Sequence, residues 1–210
     1  MAQAFVLGED FIGKDACAMV LGDNIFYGMG FRQILNFAVM KAVEQHRATV
    51  FGYYVQDPER FGVVEFDDKQ HAISIEEKPK HPKSNYAVTG LYFYPSGVTQ
   101  KAKLVRPSAR GELEITALNE MYLQEKNLDV QLLSRGFAWL DTGTMDSLLM
   151  ASNFVEMVEQ RQGIKISSPE EIAYMQGWID KNTLLKSAKK YGKSPYGEHL
   201  QNVAKGKVLY

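Results

Sequence analysis

Residues 16–21, Ala-Cys-Ala-Met-Val-Leu, form an unbroken apolar run that ends on Gly22, Asp23 and Asn24. A continuous apolar run closed by turn formers is the signature of a strand covered on both faces in a parallel sheet. Such a strand needs neighbours. From Phe31 the apolar residues Ile34, Leu35, Ala38, Val39 and Ala42 recur at i, i+3, i+4 and i+7, giving an amphipathic helix, and residues 49–55 then read as the next strand. Strand, helix and strand make a βαβ unit, and with it an open α/β sheet whose ligands gather at the carboxyl ends of the strands.

The rest of the chain alternates between the two periods. Ala2, Phe5 and Val6 recur at helical spacing without a preceding N-cap, so the chain is expected to begin inside a helix. Residues 61–66, the Asp67-Asp68-Lys69 turn, residues 72–75 and residues 86–94 read as short strands in hairpins, which makes the sheet mixed. Residues 112–124 return to a helical pattern with Ile115, Leu118, Met121 and Tyr122 on the apolar side. Residues 130–133 and 137–140 read as a hairpin around Ser134-Arg135-Gly136, followed by a long helix over 145–161. Ser168-Pro169-Glu170-Glu171 has the form of a capping box with proline at the first helical position, and Lys186, Lys189 and Lys190 before Gly192 suit a helix end. The expected organisation is a core over 1–165 and a helical segment over 166–210 packed on it.

Composition removes several function classes. A formal charge of −1 from interspersed Lys, Arg, Asp and Glu gives neither a nucleic-acid stripe nor a basic membrane face. The sole cysteine, Cys17, excludes intrachain disulfides and fits a reducing compartment. No window of about 18 apolar residues occurs and the N-terminus has no basic segment, so a soluble cytoplasmic protein is expected. His46, His71, His81 and His199 are scattered without zinc spacing.

Two acidic residues follow stretches that read as strands: Asp23 in Val-Leu-Gly-Asp-Asn and Asp141 in Trp-Leu-Asp-Thr-Gly-Thr. Carboxylates at the carboxyl ends of strands can meet around one cation. Each also has a plain structural explanation, a turn at Gly22-Asp23-Asn24 and a helix N-cap at Asp141-Thr142-Gly143-Thr144. Period-two alternation puts Trp139 on the same face as Asp141, where the indole borders a sugar pocket or simply packs in the core. Glu77 and Lys78 sit at a strand end stopped by Pro79, and Arg110 lies in a loop leading into a helix, where a guanidinium can clamp phosphate. Gly62 lies within a strand pattern, marking a bulge or close backbone approach, and Val88, Gly90 and Tyr92 share one face with room for a shelf over the glycine.

Taken together, the blocks LGDNIFYG, DPERFGVVEF, EEKP, KSNYAVTGLYFY, PSARGELEIT, WLDTGT and ISSPEEIA closely resemble the glucose-1-phosphate thymidylyltransferases, the dTDP-glucose synthases of the dTDP-rhamnose pathway. The resemblance implies a nucleotidyltransferase fold, a Rossmann-like mixed sheet with an inserted sugar-binding β layer and C-terminal helices. It also implies the Mg²⁺-dependent reaction of dTTP with glucose 1-phosphate to give dTDP-glucose and pyrophosphate. Carried over residue by residue, Asp23 and Asp141 would be catalytic and hold Mg²⁺, while Lys78 and Arg110 would grip the sugar phosphate. Gly62, Glu77, Val88 and Tyr92 would line the glucose pocket, with Trp139 close by. Arg135 would be the surviving member of a feedback site, and Met29 stands where the family usually has histidine. The family assembles as homo-oligomers, tetramers in particular. Two alternatives stand beside this reading: an aspartic protease, because Leu140-Asp141-Thr142-Gly143-Thr144 fits the apolar-DTG-T pattern, and an inert sugar-phosphate binding or assembly module.

The glycine-rich GGxGTRL segment that cradles the triphosphate in the family does not occur in these 210 residues. The resemblance therefore implies the metal and sugar half of the enzyme. These residues by themselves are expected not to make dTDP-glucose, since lost positioning of the triphosphate amounts to roughly 7 kcal/mol or more. Pyrophosphate release from dTTP, glucose 1-phosphate and Mg²⁺ checks this, beside a version carrying a family N-terminal segment. Comparable release from both would refute it.

Overall fold

In the computed structural model, which describes residues 1–208, the apolar run forms β1 (Cys17–Val20), paired antiparallel with a distant strand, β6 (Tyr86–Tyr94). This corrects the reading of a parallel-sheet strand covered on both faces. Cys17 and Met19 turn inward, whereas Ala18 and Val20 are exposed, Val20 at 60%. The period of two was hidden because both faces of the strand carry apolar residues. β2 (Asn24–Tyr27) follows after the turn at residues 21–24, and α3 (Phe31–Glu44) leads into β3 (Ala48–Tyr54). Both β1 and β3 run antiparallel to β6, so they are parallel to each other with β6 between them. The βαβ reading holds in direction but not in adjacency.

β6 is the axis of the sheet. It is the longest strand, buried from Ala87 to Tyr94, and rich in the aromatic and β-branched residues that suit a pleated interior. β3 lies along one of its edges; β4 (Gly62–Phe66) and β1 share the other. β5 (Ala72–Glu77) extends the sheet beyond β4, and β7 (Leu128–Leu132) joins β3 in parallel, for the order β5-β4-β6-β3-β7. The result is the mixed sheet that the sequence implied. α1 (Gln3–Leu7), followed by the short α2 (Glu9–Ile12), shares one core with α4 (Val98–Ala102) and α5 (Ile115–Gln124), built on Val64, Ile75, Val88, Tyr92 and Tyr94 of the sheet. On the other face α3 presents a narrow seam, Ala38 and Ala42, to Phe51, Leu91 and Phe93. Small residues at that seam bring the helix close, and Val39, expected inside, is 46% exposed.

The hairpin expected around Ser134-Arg135-Gly136 does not form. Leu133 N–H donates to the Gly52 carbonyl at 2.9 Å, keeping this segment on β3, and a turn closed by Phe137 N–H on Ser134 O (3.2 Å) redirects the chain. The following strand, β8 (Ala138–Asp141), pairs antiparallel with β2 in a sheet of its own. β3 had already claimed β7, so the two arms of the sequence hairpin serve different sheets.

By internal contacts the chain divides into units of residues 1–141 and 142–210, a division that places the long helix α6 (Met145–Gln162) with the C-terminal helices. In the second unit, Thr144 and Ser147 form a reciprocal capping box at the start of α6. α7 (Pro169–Met175) begins with proline as expected, but the capping box at Ser168 is absent: buried Ser168 donates instead to the Tyr196 hydroxyl at 3.0 Å. α8 (Lys181–Tyr191) and α9 (Pro195–Ala204) pack through Leu184, Ala188, Leu200 and Val203, with a buried His199–Glu171 contact of 2.6 Å between α9 and α7. Among the described residues no helix is long and apolar enough to cross a membrane.

The β3–β7 pair is tied at its start by Arg47. Its Nε and one terminal nitrogen donate to Asp129 at 2.6 and 3.0 Å, and the other donates to the Lys126 carbonyl at 2.6 Å. Lysine keeps the charge but not the planar fork. Arg47→Lys is therefore expected to lower stability by about 1–2 kcal/mol, read as a shift of the urea midpoint at unchanged slope.

Candidate active site

The site is built where β2 and β8 run side by side. Their register places Asn24 opposite Asp141 and Phe26 opposite Trp139. Asp23, one residue before Asn24, is thereby brought to the same strand ends as Asp141, although 117 positions separate Asn24 from its partner. The turn that precedes Asn24 and the cap at Thr144 both exist, so the plain structural explanations of the two motifs hold alongside this juxtaposition. Asn24 Nδ2 donates to Asp23 Oδ1 at 2.9 Å. Its Oδ1 accepts from the Gly90 backbone N–H at 3.0 Å and from Trp139 Nε1 at 2.6 Å. The space over Gly90, expected as an open shelf, is thus filled by Asn24: a Cβ at position 90 would stand 2.5 Å from Oδ1.

The Trp139 indole is 8% exposed and is held edge to face by Phe61 and Tyr53, with ring centroids 5.1 and 5.9 Å away. It is a packed wall. Phe61 leads directly to Gly62, which begins the second cluster. Gly62 pairs with Glu77 across β4 and β5, and a Cβ there would meet Thr116 Oγ1 at 3.0 Å, Glu77 Oε2 at 3.5 Å and Val88 at 3.9 Å. This is the close approach that a glycine within a strand pattern marks. Thr116, from the first turn of α5, donates to Glu77 Oε2. Tyr92 is 3% exposed, and burial together with the nearby Glu77 charge holds its hydroxyl well above the ordinary tyrosine range.

Lys78 follows Glu77 with a positive φ of 45°, its N–H bonded to the Phe61 carbonyl at 2.9 Å. A non-glycine residue in that region is strained and points to a constraint imposed by its surroundings. Arg110 approaches Glu77 from the loop before α5, 3.6 Å from Oε1, and donates to Glu114 Oε1 at 2.8 Å, with Glu112 at 3.9 Å. Glu114 is buried and also accepts from Ser108 at 2.8 Å. Burial pushes its carboxyl up, but the bonds from Ser108 and Arg110 and the Arg110 charge outweigh this and leave it below the ordinary glutamate value.

Of the residues singled out in the sequence, Asp23, Asp141 and Trp139 gather at β2–β8, and Gly62, Glu77, Lys78, Val88, Tyr92 and Arg110 gather around β4, β5 and β6. The clusters join twice, at the Phe61–Trp139 contact and at Gly90, which lies between Val88 and Tyr92 on β6. Arg135 is exposed in the turn ahead of β8, at the opposite end of that strand from Asp141, and Met29 is 95% exposed. Sequence reasoning missed Asn24, Thr116 and Glu114. Asn24 stood in a motif already marked, where its amide was read only as a turn former; Thr116 and Glu114 carried no signal beyond a helix start. Two carboxylates on adjoining strand ends suit Mg²⁺, which takes one or two protein carboxylates and fills its remaining positions with phosphate oxygens and water. Among the described residues no three His, Cys, Asp or Glu side chains cluster as a metal cage.

The family model for nucleotidyl transferases matches residues 1–158. The chain is 54% identical over 200 residues to the glucose-1-phosphate thymidylyltransferase of Neisseria gonorrhoeae, covering 95% of the chain and 68% of that protein. It is 50% identical over 200 residues to that of Mycobacterium tuberculosis H37Rv, again covering 95% and 68%. A solved Bacillus anthracis structure described as a glucose-1-phosphate thymidylyltransferase in complex with sucrose superposes with a TM-score of 0.63 at 44% identity, over 73% of this chain and 60% of that one. A UDP-glucose pyrophosphorylase bound to UDP-glucose shares the fold at 19% identity, with a TM-score of 0.64 over 73% of this chain and 61% of that one. These matches overturn the aspartic protease alternative, and the helix α6 directly after Thr144 is foreign to an all-β protease.

Because Glu114 is depressed in the folded state, its contribution to stability is present above the ordinary glutamate value and is lost as pH falls from about 4.5 through the lower folded value. Glu114→Gln is expected to flatten the acid limb of stability in that window while leaving the neutral-to-alkaline side parallel to the parent. Chemical denaturation at a series of pH values reads the difference.

Proposed function

The chain belongs to the nucleotidyl transferase family and, within it, to the glucose-1-phosphate thymidylyltransferases, and on that premise we propose that its site serves the transfer of a thymidylyl group from dTTP to glucose 1-phosphate. A phosphate oxygen of glucose 1-phosphate attacks the α-phosphorus of dTTP. The new P–O bond joins the two halves of dTDP-glucose, while the bond to the terminal diphosphate breaks and its electron pair leaves on pyrophosphate. No covalent enzyme intermediate is needed, so the work of the protein is positioning and charge neutralisation.

The observation that carries this reading is the β2–β8 register, which sets Asp141 against Asn24 and so beside Asp23. Asp23 and Asp141 would hold Mg²⁺, which when bound neutralises phosphate charge and stabilises the charge that develops on the leaving group. Lys78 and Arg110 flank Glu77 and supply cations for the sugar phosphate, Arg110 through its planar fork. Glu77, held by Thr116, accepts from sugar hydroxyls beside Gly62, Val88 and Tyr92, with Trp139 as the wall. Arg110 reaches phosphate by exchanging part of its present contact with Glu77 and Glu112, while buried Glu114 keeps the guanidinium aimed.

In the version carrying a family N-terminal segment, Asp23→Asn and Asp141→Asn are each expected to lower Mg²⁺-dependent pyrophosphate release by ~10²-fold or more, the effect of removing one preorganised electrostatic group. Near-normal release in both would reject the metal pair. Arg110→Ala should weaken glucose 1-phosphate binding by about tenfold, and Arg110→Lys should be nearly as damaging because the fork is lost. Calorimetry with glucose 1-phosphate alone measures this; unchanged affinity would return Arg110 to the status of a surface arginine.

A further inference from the structure

We infer that Asn24 is the positioning residue of this site, one side chain that sets both the Asp23 carboxylate and the Trp139 indole; the inference rests on the reading of Asp23 and Asp141 as the metal pair. Two donors converge on one corner of its amide, Gly90 N–H at 3.0 Å and Trp139 Nε1–H at 2.6 Å. Only an oxygen can receive them, so the amide has a single orientation, and both acceptor positions of Oδ1 are used. That leaves Nδ2 on the opposite corner, where it donates to Asp23 Oδ1 at 2.9 Å. The Asn24 backbone lies opposite Asp141 in the β2–β8 ladder, so the same residue touches the surroundings of both carboxylates.

No other side chain of this size does the same. Aspartate would keep the acceptor for Gly90 and Trp139 but turn a second acceptor on Asp23, and leucine would remove the amide's bond to each of its three polar partners. Glycine at position 90 completes the device, because a Cβ there would lie 2.5 Å from Oδ1 and force the amide off the β6 backbone. The carboxylate that would bind metal and the wall of the sugar pocket are therefore joined by two hydrogen bonds in series. A disturbance at either end reaches the other. Groups that orient a metal ligand from behind commonly change metal affinity ten- to a hundredfold when altered.

The test uses the full chain with Mn²⁺ alone as the metal, uptake being followed from the paramagnetic resonance of the free ion. Asn24→Leu is expected to weaken Mn²⁺ uptake by roughly tenfold. Trp139→Phe leaves Asn24 in place and removes only its indole donor; it is expected to weaken uptake by about threefold, since a tenfold effect divides between the two donors on Oδ1. In a Trp178→Phe background, which leaves Trp139 as the sole tryptophan, Asn24→Leu should also shift the indole emission. Asn24→Asp, which keeps the acceptor oxygen, should restore it. Equal Mn²⁺ affinity in the parent, Asn24→Leu and Trp139→Phe, with only a lowered melting temperature, would show that Asn24 merely fills the space over Gly90. Should Asn24→Leu fail to fold, unchanged affinity in Trp139→Phe overturns the inference on its own. A parent chain that takes up no Mn²⁺ overturns the two-carboxylate reading itself, and the inference with it.

Discussion

The pairing of β2 with β8 is the constraint on which the candidate site depends. Each strand is four residues long, and together they make a sheet too small to stand alone. They are held from outside the ladder by Trp139 against Phe61 and Tyr53, and by the Asn24 bond to the central strand. The ladder itself converts a long sequence separation into adjacency. Because antiparallel register has a period of two, a slip of one residue would turn Asp141 and Trp139 to the opposite face, dismantling the β2–β8 cluster and its contact with Phe61.

The second cluster shows how charge is kept usable without being left bare. Arg110 is surrounded by three carboxylates at graded distances, and only the nearest, Glu114, is buried and further anchored by Ser108. The guanidinium itself stays largely exposed, held from below by the buried carboxylate, while its contacts to Glu77 and Glu112 are the longer ones, to half-buried and exposed partners. The same logic places Thr116 behind Glu77. These neighbours hold Arg110 and Glu77 from behind, and they belong to the start of α5, which ties the orientation of both groups to one helix terminus.

Much of this was legible in the chain because the periods are clean: α3, α5 and the β4–β5 hairpin form where their hydrophobic patterns place them, and Asp141 ends a strand as expected. What the pattern could not give was partnership. The run at 16–21 hides its alternation because small apolar residues occupy both faces, and residues 130–140 look like a hairpin because the parallel claim of β3 on β7 is made 80 positions away. Ser168 looked like a cap, but its hydroxyl is buried beside a tyrosine that competes for it. Asn24 was passed over for a related reason: its value lies in three partners, two of them 66 and 115 positions distant.

Lys78 carries one more consequence. It holds a left-handed backbone, φ 45°, directly after Glu77, in the clip that closes the mouth of the β4–β5 hairpin on the Phe61 carbonyl. Glycine would relax that position by about 1 kcal/mol or more. A chain selected for stability alone would drift toward glycine here, and every such drift would delete the cation beside Glu77. The lysine thus marks a point where local backbone thermodynamics and the charge of the Glu77 neighbourhood pull in opposite directions: the more relaxed chain is the one with less positive charge there.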